Sequence, residues 1–124
     1  FAIIHLKVEN IVVMGHGRCG GIAGALATAA GHAPEGAFIG KWLTMIEEVA
    51  GKVEANSLLT ASEQQTALER IVIRQSIGNL LTFPFVKDRV EANELSLHGA
   101  WFDISSGELW TMNGESGDFM RPEL

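Results

Sequence analysis

At 124 residues the chain has room for at most one domain with a real core. Hydrophobic content of 47% against 19% charged residues describes a globular chain and excludes a disordered one. A formal net charge of −6 argues against a nucleic-acid or anionic-membrane surface, and no apolar run approaches the roughly 18 residues of a membrane helix. One cysteine cannot close an internal disulfide, so nothing asks for an oxidising compartment and the expected location is the cytoplasm.

The chain opens on the apolar Phe1, Ala2, Ile3, Ile4 and Leu6, with the polar His5 among them and no helix cap before them. Residues 1–7 are expected to be the end of a helix, with His5 half-exposed on it, and the sequence as a whole is expected to be a fragment. Glu9 and Asn10 then make a turn. Ile11, Val12, Val13 and Met14 follow as a strand apolar on both faces, which predicts a central parallel strand covered by helices.

The stretch Gly15-His16-Gly17-Arg18-Cys19-Gly20-Gly21 comes next and leads into the Ala-rich residues 22–30. A strand, a tight turn and a helix N-terminus are predicted here. His16 and Cys19 sit on that turn, an imidazole and a thiol spaced to share one borderline or soft metal, zinc first among them. The helix start favours the thiolate form of a cysteine, and Gly20 and Gly21 let backbone approach a group held there. The H-x-x-C spacing supplies two ligands where tetrahedral zinc wants three or four. The same spacing also suits a glycine turn with a buried cysteine and an exposed histidine. Gly15, Gly17 and Gly20 further spell G-x-G-x-x-G, the dinucleotide fingerprint, which needs an acid about 20 residues on at the end of a second strand. Glu35 is the only acid at that distance, and no apolar strand precedes it.

Gly31 is placed to end the first helix as its left-handed residue, with His32 decorating the loop. Pro34 suits the first turn of a second helix. Phe38, Ile39, Trp42, Leu43, Ile46 and Val49 give that helix one apolar face, and Gly51 closes it. Residues 52–59 read as a loop. The next helix is announced by Thr60 with Glu63, or Ser62 with Gln65, at capping-box spacing. Leu68, Ile71, Val72, Gln75, Ile77, Leu80 and Leu81 form its buried side; Arg70 and Arg74, one turn apart, have the spacing of an anion site, and the expectation over it is a solvated face beside Glu69. Phe83-Pro84 breaks it, and residues 86–92 form one more short helix. Residues 95–104 read as a strand with His98 satisfied at the sheet surface, residues 105–107 as a turn, and residues 108–112 as the returning strand. The polar residues 113–124 are expected to form an extended tail.

Four blocks of this sequence resemble the β-class carbonic anhydrases: residues 12–21, with G-H-x-x-C-G-G; residues 38–42, Phe-Ile-Gly-Lys-Trp; residues 74–86; and residues 97–109. Order and spacing fit that family from the first residue to about Leu109. The resemblance implies an α/β fold with a central, mostly parallel β-sheet flanked by helices and a C-terminal hairpin, residues 1–124 being the C-terminal part of one such domain. It implies zinc held by two cysteines and a histidine, of which His16 and Cys19 match the later two ligands, and reversible hydration of carbon dioxide to bicarbonate and a proton. It places the backbone N–H of Gly20 as a donor to substrate. The family's first motif, C-x-D-x-R, is absent, and with it the other cysteine and the Asp–Arg pair, so no catalytic residue is identified and this chain alone is expected to be inactive. The implied partners are a complementary N-terminal fragment or further copies in a dimer or tetramer, with no nucleic acid and no membrane. A degenerate, non-catalytic paralogue and a nucleotide-binding module through Gly15, Gly17 and Gly20 are the competing readings.

Overall fold

The structure, a computed structural model, describes residues 1–32 and 43–122. Its sheet has four strands, β1 (Asn10–His16), β2 (Ser96–Asp103), β3 (Glu108–Met112) and β4 (Phe119–Met120), in that spatial order. Strand β1 pairs parallel with β2, Asn10 opposite Ser96 and His16 opposite Phe102. Strands β2 and β3 form the antiparallel hairpin expected around Gly107, whose φ of 74° supplies the left-handed turn residue. With β4 also antiparallel, the described sheet is mixed, one pair parallel and two not.

Two readings of β1 are corrected. It lies at the edge of the described sheet, not at its centre. Its burial alternates as well: Ile11, Val13 and Gly15 are half-buried, whereas Val12 and Met14 are 56% and 63% exposed. An apolar run alone does not say which faces are covered. Here helices pack on one of them.

That covered face carries Val13, Trp101, Trp110, Met112 and Phe119, which close around Ile73. The helix supplying Ile73 is the longest of those described, and it is called α3 below. In chain order the described helices are α1 (Gly20–Ala29), α2 (Glu47–Glu54) entered through a 3-10 turn at Thr44–Ile46, α3 (Ala61–Leu80) and α4 (Pro84–Glu91). Helix α1 ends as expected, with Gly31 at φ 95°. A second core joins α1, α2 and α3 through Ile22, Ala25, Leu43, Ile46, Ala50, Val53 and Leu68. Helix α3 starts on the Thr60–Glu63 capping box: the Thr60 hydroxyl accepts from Glu63 N at 3.2 Å and Glu63 Oε1 accepts from Thr60 N at 3.0 Å.

Several expectations fail locally. Residues 1–7 are turns, not helix: one i→i+4 bond runs from His5 N to Phe1 O, and Lys7 at φ 51° turns the chain away. The Arg89 guanidinium pins this segment by donating to the carbonyls of Ile3 and Val8. Gly51 does not close α2, which runs through it to Glu54 and so takes part of the expected loop. A glycine inside a helix costs about 1 kcal/mol, too little to override the burial of Ala50 and Val53. Pro84 begins α4 as its first-turn residue rather than only breaking what precedes it. Residues 113–122 turn back at Gly117, φ 76°, and β4 buries Phe119. Pro34, Glu35, Phe38, Ile39, Gly40, Lys41 and Trp42 lie outside the described residues. No described helix is long and apolar enough to cross a membrane.

Candidate functional site

The site forms where β1 ends and α1 begins. His16 is the last residue of β1 and lies on the exposed face of the sheet. Its Nδ1 is 2.9 Å from the carbonyl oxygen of Gly17. A carbonyl only accepts, so this bond puts the ring proton on Nδ1 and leaves the Nε2 lone pair free. The backbone then turns through Gly17, whose N–H is bonded to Phe102 O at 2.7 Å, and Arg18, which stands in the left-handed region at φ 54°. A side-chain-bearing residue there costs about 1–2 kcal/mol. Cys19 follows as the N-cap of α1, half-buried, with extended backbone and a side chain that makes no capping bond. Gly20 opens α1. A Cβ at Gly20 would meet nothing within 4 Å, and its N–H, the first of the helix, has no acceptor inside it.

His16 and Cys19 line one cavity of about 190 Å³ along the outer edge of β1. Its other walls are mostly apolar, with Val13, Met14 and Ile22 on one side and Val72 and Ile73 on α3, and Glu69 and Ser76 are its remaining polar side chains. Gly15 is what lets α3 come this close, since a Cβ there would lie 2.8 Å from Ile73 Cδ1.

Glu69 is the functional group that the sequence reading missed. The helical period assigns it to a solvated face, but it is 3% exposed and all but sealed beneath the turn. Its Oε2 accepts from Cys19 N at 2.9 Å and from Gln65 Nε2 at 2.7 Å, and its Oε1 from Trp101 Nε1 at 3.2 Å. Gln65 Nε2 also donates to Cys19 O at 3.0 Å. Arg70, placed on the same solvated face, lies instead over the rings of Trp101 and Trp110, at 4.4 and 4.8 Å from their centroids. Burial is the largest cause that lowers its pKa, followed by the charge of Arg74. The available signal was the i,i+4 spacing of Gln65, Glu69 and Ile73, which puts two polar residues in line with an apolar one.

The nitrogen of His16 and the sulfur of Cys19 match the donor types zinc prefers, and the free Nε2 with a locally bonded Nδ1 is the usual state of a metal-binding imidazole. They fill two corners of a tetrahedron. Among the described residues no group of three histidine, cysteine, aspartate or glutamate side chains could hold a metal ion. His98 is bonded to Asn10 Oδ1 at 2.8 Å on the exposed side of the sheet, as a structural histidine would be. The dinucleotide reading finds no second strand of the required kind. Among the described residues the parallel neighbour of β1 is β2, whose first residue is Ser96, and Glu35 lies outside those residues.

The carbonic anhydrase family profile matches residues 1–109. Beta carbonic anhydrase 3 of Arabidopsis thaliana is 36% identical over 117 residues, which are 91% of this chain and 45% of the relative. The solved β-carbonic anhydrase CcaA superposes with a TM-score of 0.86 at 28% identity, over 99% of this chain and 55% of that one. One of two tetrameric β-carbonic anhydrases from Sordaria macrospora does so with a TM-score of 0.74 at 28% identity, over 90% and 56%. The chain thus spans about half the length of the relatives it matches. With the sheet, the G-H-x-x-C turn and the hairpin in the family's order, the chain belongs to the carbonic anhydrases, and among them to the β class.

Proposed function

We propose that this chain carries the second half of a zinc site for the reversible hydration of carbon dioxide to bicarbonate and a proton. The observation behind the proposal is the pairing of a free His16 Nε2 with the Cys19 thiol on one apolar cavity at the sheet edge. His16 and Cys19 would hold the metal together with donors from outside the described residues. Zinc, when bound, supplies a Lewis acid that makes a water acidic near neutral pH. The chain's own part is to aim its two ligands, to keep apolar walls around a nonpolar gas, and to offer the N–H of Gly20 to an oxygen of substrate or product. No general acid or base is assigned to the chain. Its partners would be a polypeptide carrying C-x-D-x-R and further copies in a dimer or tetramer, the Sordaria macrospora enzymes being tetrameric. The cytoplasm remains the proposed compartment, on the strength of the single cysteine.

A second reading has one observation in its favour. Since no described group of three donors exists, the chain could act as a non-catalytic structural partner. Zinc content by elemental analysis and stopped-flow carbon dioxide hydration separate the two readings. The chain alone should bind zinc weakly and hydrate carbon dioxide no faster than aqueous zinc. Adding a segment with a C-x-D-x-R strand should bring stoichiometric zinc and activity, both lost in Cys19→Ser. Unchanged zinc and rate after that addition would favour the structural partner. Full activity from the chain alone would refute the half-site.

A further inference from the structure

Beyond the two ligands themselves, the geometry points to Glu69 as a positioning residue that fixes where the sulfur of Cys19 stands. We infer that Glu69 and Gln65, one turn apart on α3, grip Cys19 by its backbone: Glu69 takes the N–H at 2.9 Å and Gln65 donates to the C=O at 3.0 Å. The inference rests on the metal reading of His16 and Cys19.

Three features make this a clamp and not an incidental contact. The first is that the amide of Gln65 cannot be turned over. Its two neighbours, Cys19 O and Glu69 Oε2, are both pure acceptors, so the NH₂ must face both and gives one hydrogen to each. The second is that the carboxylate is itself immobile: at 3% exposure it holds three donors from three different elements, the turn, α3 and β2. A buried carboxylate with fewer partners would be strongly destabilising, so its hydrogen bonds hold it in one place. The third is that Arg18, immediately before Cys19, is in the left-handed region. The turn adopts a conformation it would not choose unaided, and an outside group must hold it there.

The consequence is a division of labour. Backbone bonds to α3 determine the position of Cys19, and its side chain, free of any capping duty, is left for the cavity. Helix α3 reaches the turn only because Gly15 has no side chain, so the distance between β1 and α3 sets the place of the ligand. A carboxylate that orients a ligand by its main chain does for a cysteine what a carboxylate on the far ring nitrogen does for a histidine.

Glu69→Leu tests the assignment, since it keeps much of the volume and leaves the Cys19 N–H with no acceptor. Amide hydrogen exchange at Cys19 in the 124-residue chain should speed up at least about tenfold while the β2 amides keep their rates. The dissociation constant for Zn²⁺, added as the metal alone, should rise about tenfold. Gln65→Leu, at a half-buried position, should move both readouts in the same direction and serves if Glu69→Leu does not fold. Trp101→Phe takes away the Oε1 donor and part of the ring beneath Arg70 but leaves both bonds to Cys19, and should speed exchange at Cys19 relative to β2 far less than Glu69→Leu. A folded Glu69→Leu or Gln65→Leu with wild-type exchange at Cys19 overturns the inference, as does an acceleration shared equally by every amide. Failure of the wild-type chain to show Zn²⁺-dependent shifts at His16 and Cys19 would instead count against the metal reading, with the exchange result still deciding the clamp.

Discussion

Gly15 on β1 and Ile73 on α3 are fitted to each other so closely that a Cβ on the glycine would lie 2.8 Å from Ile73 Cδ1. Its Cγ2 in turn stands 3.1 Å from where a Cβ on Gly99, on the neighbouring strand, would be. Ile73 therefore fills a slot made by the absence of two side chains.

Gly15→Ala should accordingly cost about 1–3 kcal/mol, the range for overpacking a rigid core. Ile73→Val removes the offending methyl and alone should cost about 0.5–1.5 kcal/mol. The two changes share one contact, so the double variant should be less destabilised than the sum of the singles. Urea denaturation of the four proteins reads the coupling directly. Strict additivity would mean that the helix moves away as a body, and the close fit described here would then be unimportant.

How much of this was legible beforehand differs from residue to residue. The turn from His16 to Gly20 was legible because glycine spacing, a preceding apolar run and a following alanine-rich run are local signals. So was the hairpin around Gly107. The edge position of β1 was not, because a strand's neighbours are long-range facts that its own residues do not record. Glu69 was hidden for a related reason: charged residues are rarely fully buried unless paired, and its partners are Cys19 and Trp101, 50 and 32 positions away. Arg70 was misplaced with it, since only the fold reveals that two tryptophans on adjacent strands, in register at Trp101 and Trp110, form a surface for a guanidinium. Strand β4 went unread because two residues are too few to show any period.

Acid should weaken the start of α3 in a defined window. Glu63 is held below the usual carboxylate range first by the backbone N–H of Thr60 and then by its hydroxyl. A depressed folded pKa means that the stabilisation is complete above the unfolded value of about 4.3 and is lost as pH falls through the folded value. Asp103 behaves alike, with the backbone N–H of Ser105 as its largest cause and the side chain of Ser106 next. Glu63→Gln removes the titration and keeps the acceptor. Its thermal midpoint should lie below that of the native chain at pH 6 and approach it as the pH is lowered toward 2.5. Parallel curves over that interval, recorded by circular dichroism, would show that the cap contributes nothing through its charge.

The uncovered side of the sheet leads to the last prediction. Val12, Met14, Phe102, Leu109 and Met120 all project from this one face and are 56%, 63%, 37%, 40% and 54% exposed. The registers place Phe102 opposite Leu109, and His16 beside Phe102, so the apolar surface runs up to the candidate ligand. Phe1, Ile4 and Leu6 are exposed as well, whereas Leu43 and Ile46 are core. Monomeric proteins rarely keep so large a continuous apolar area in water, and β1 adds an unpaired edge among the described residues. The chain should therefore sediment as a dimer or larger species at micromolar concentration, well above its 13.4 kDa. Met14→Lys and Leu109→Lys put charges on that face, on β1 and β3, and each should shift the distribution toward monomer. If the native chain sediments as a monomer over the whole range, the open face is not a contact surface between copies. If it associates but neither lysine matters, the contact lies elsewhere, with the exposed turn of Phe1, Ile4 and Leu6 the next surface to charge.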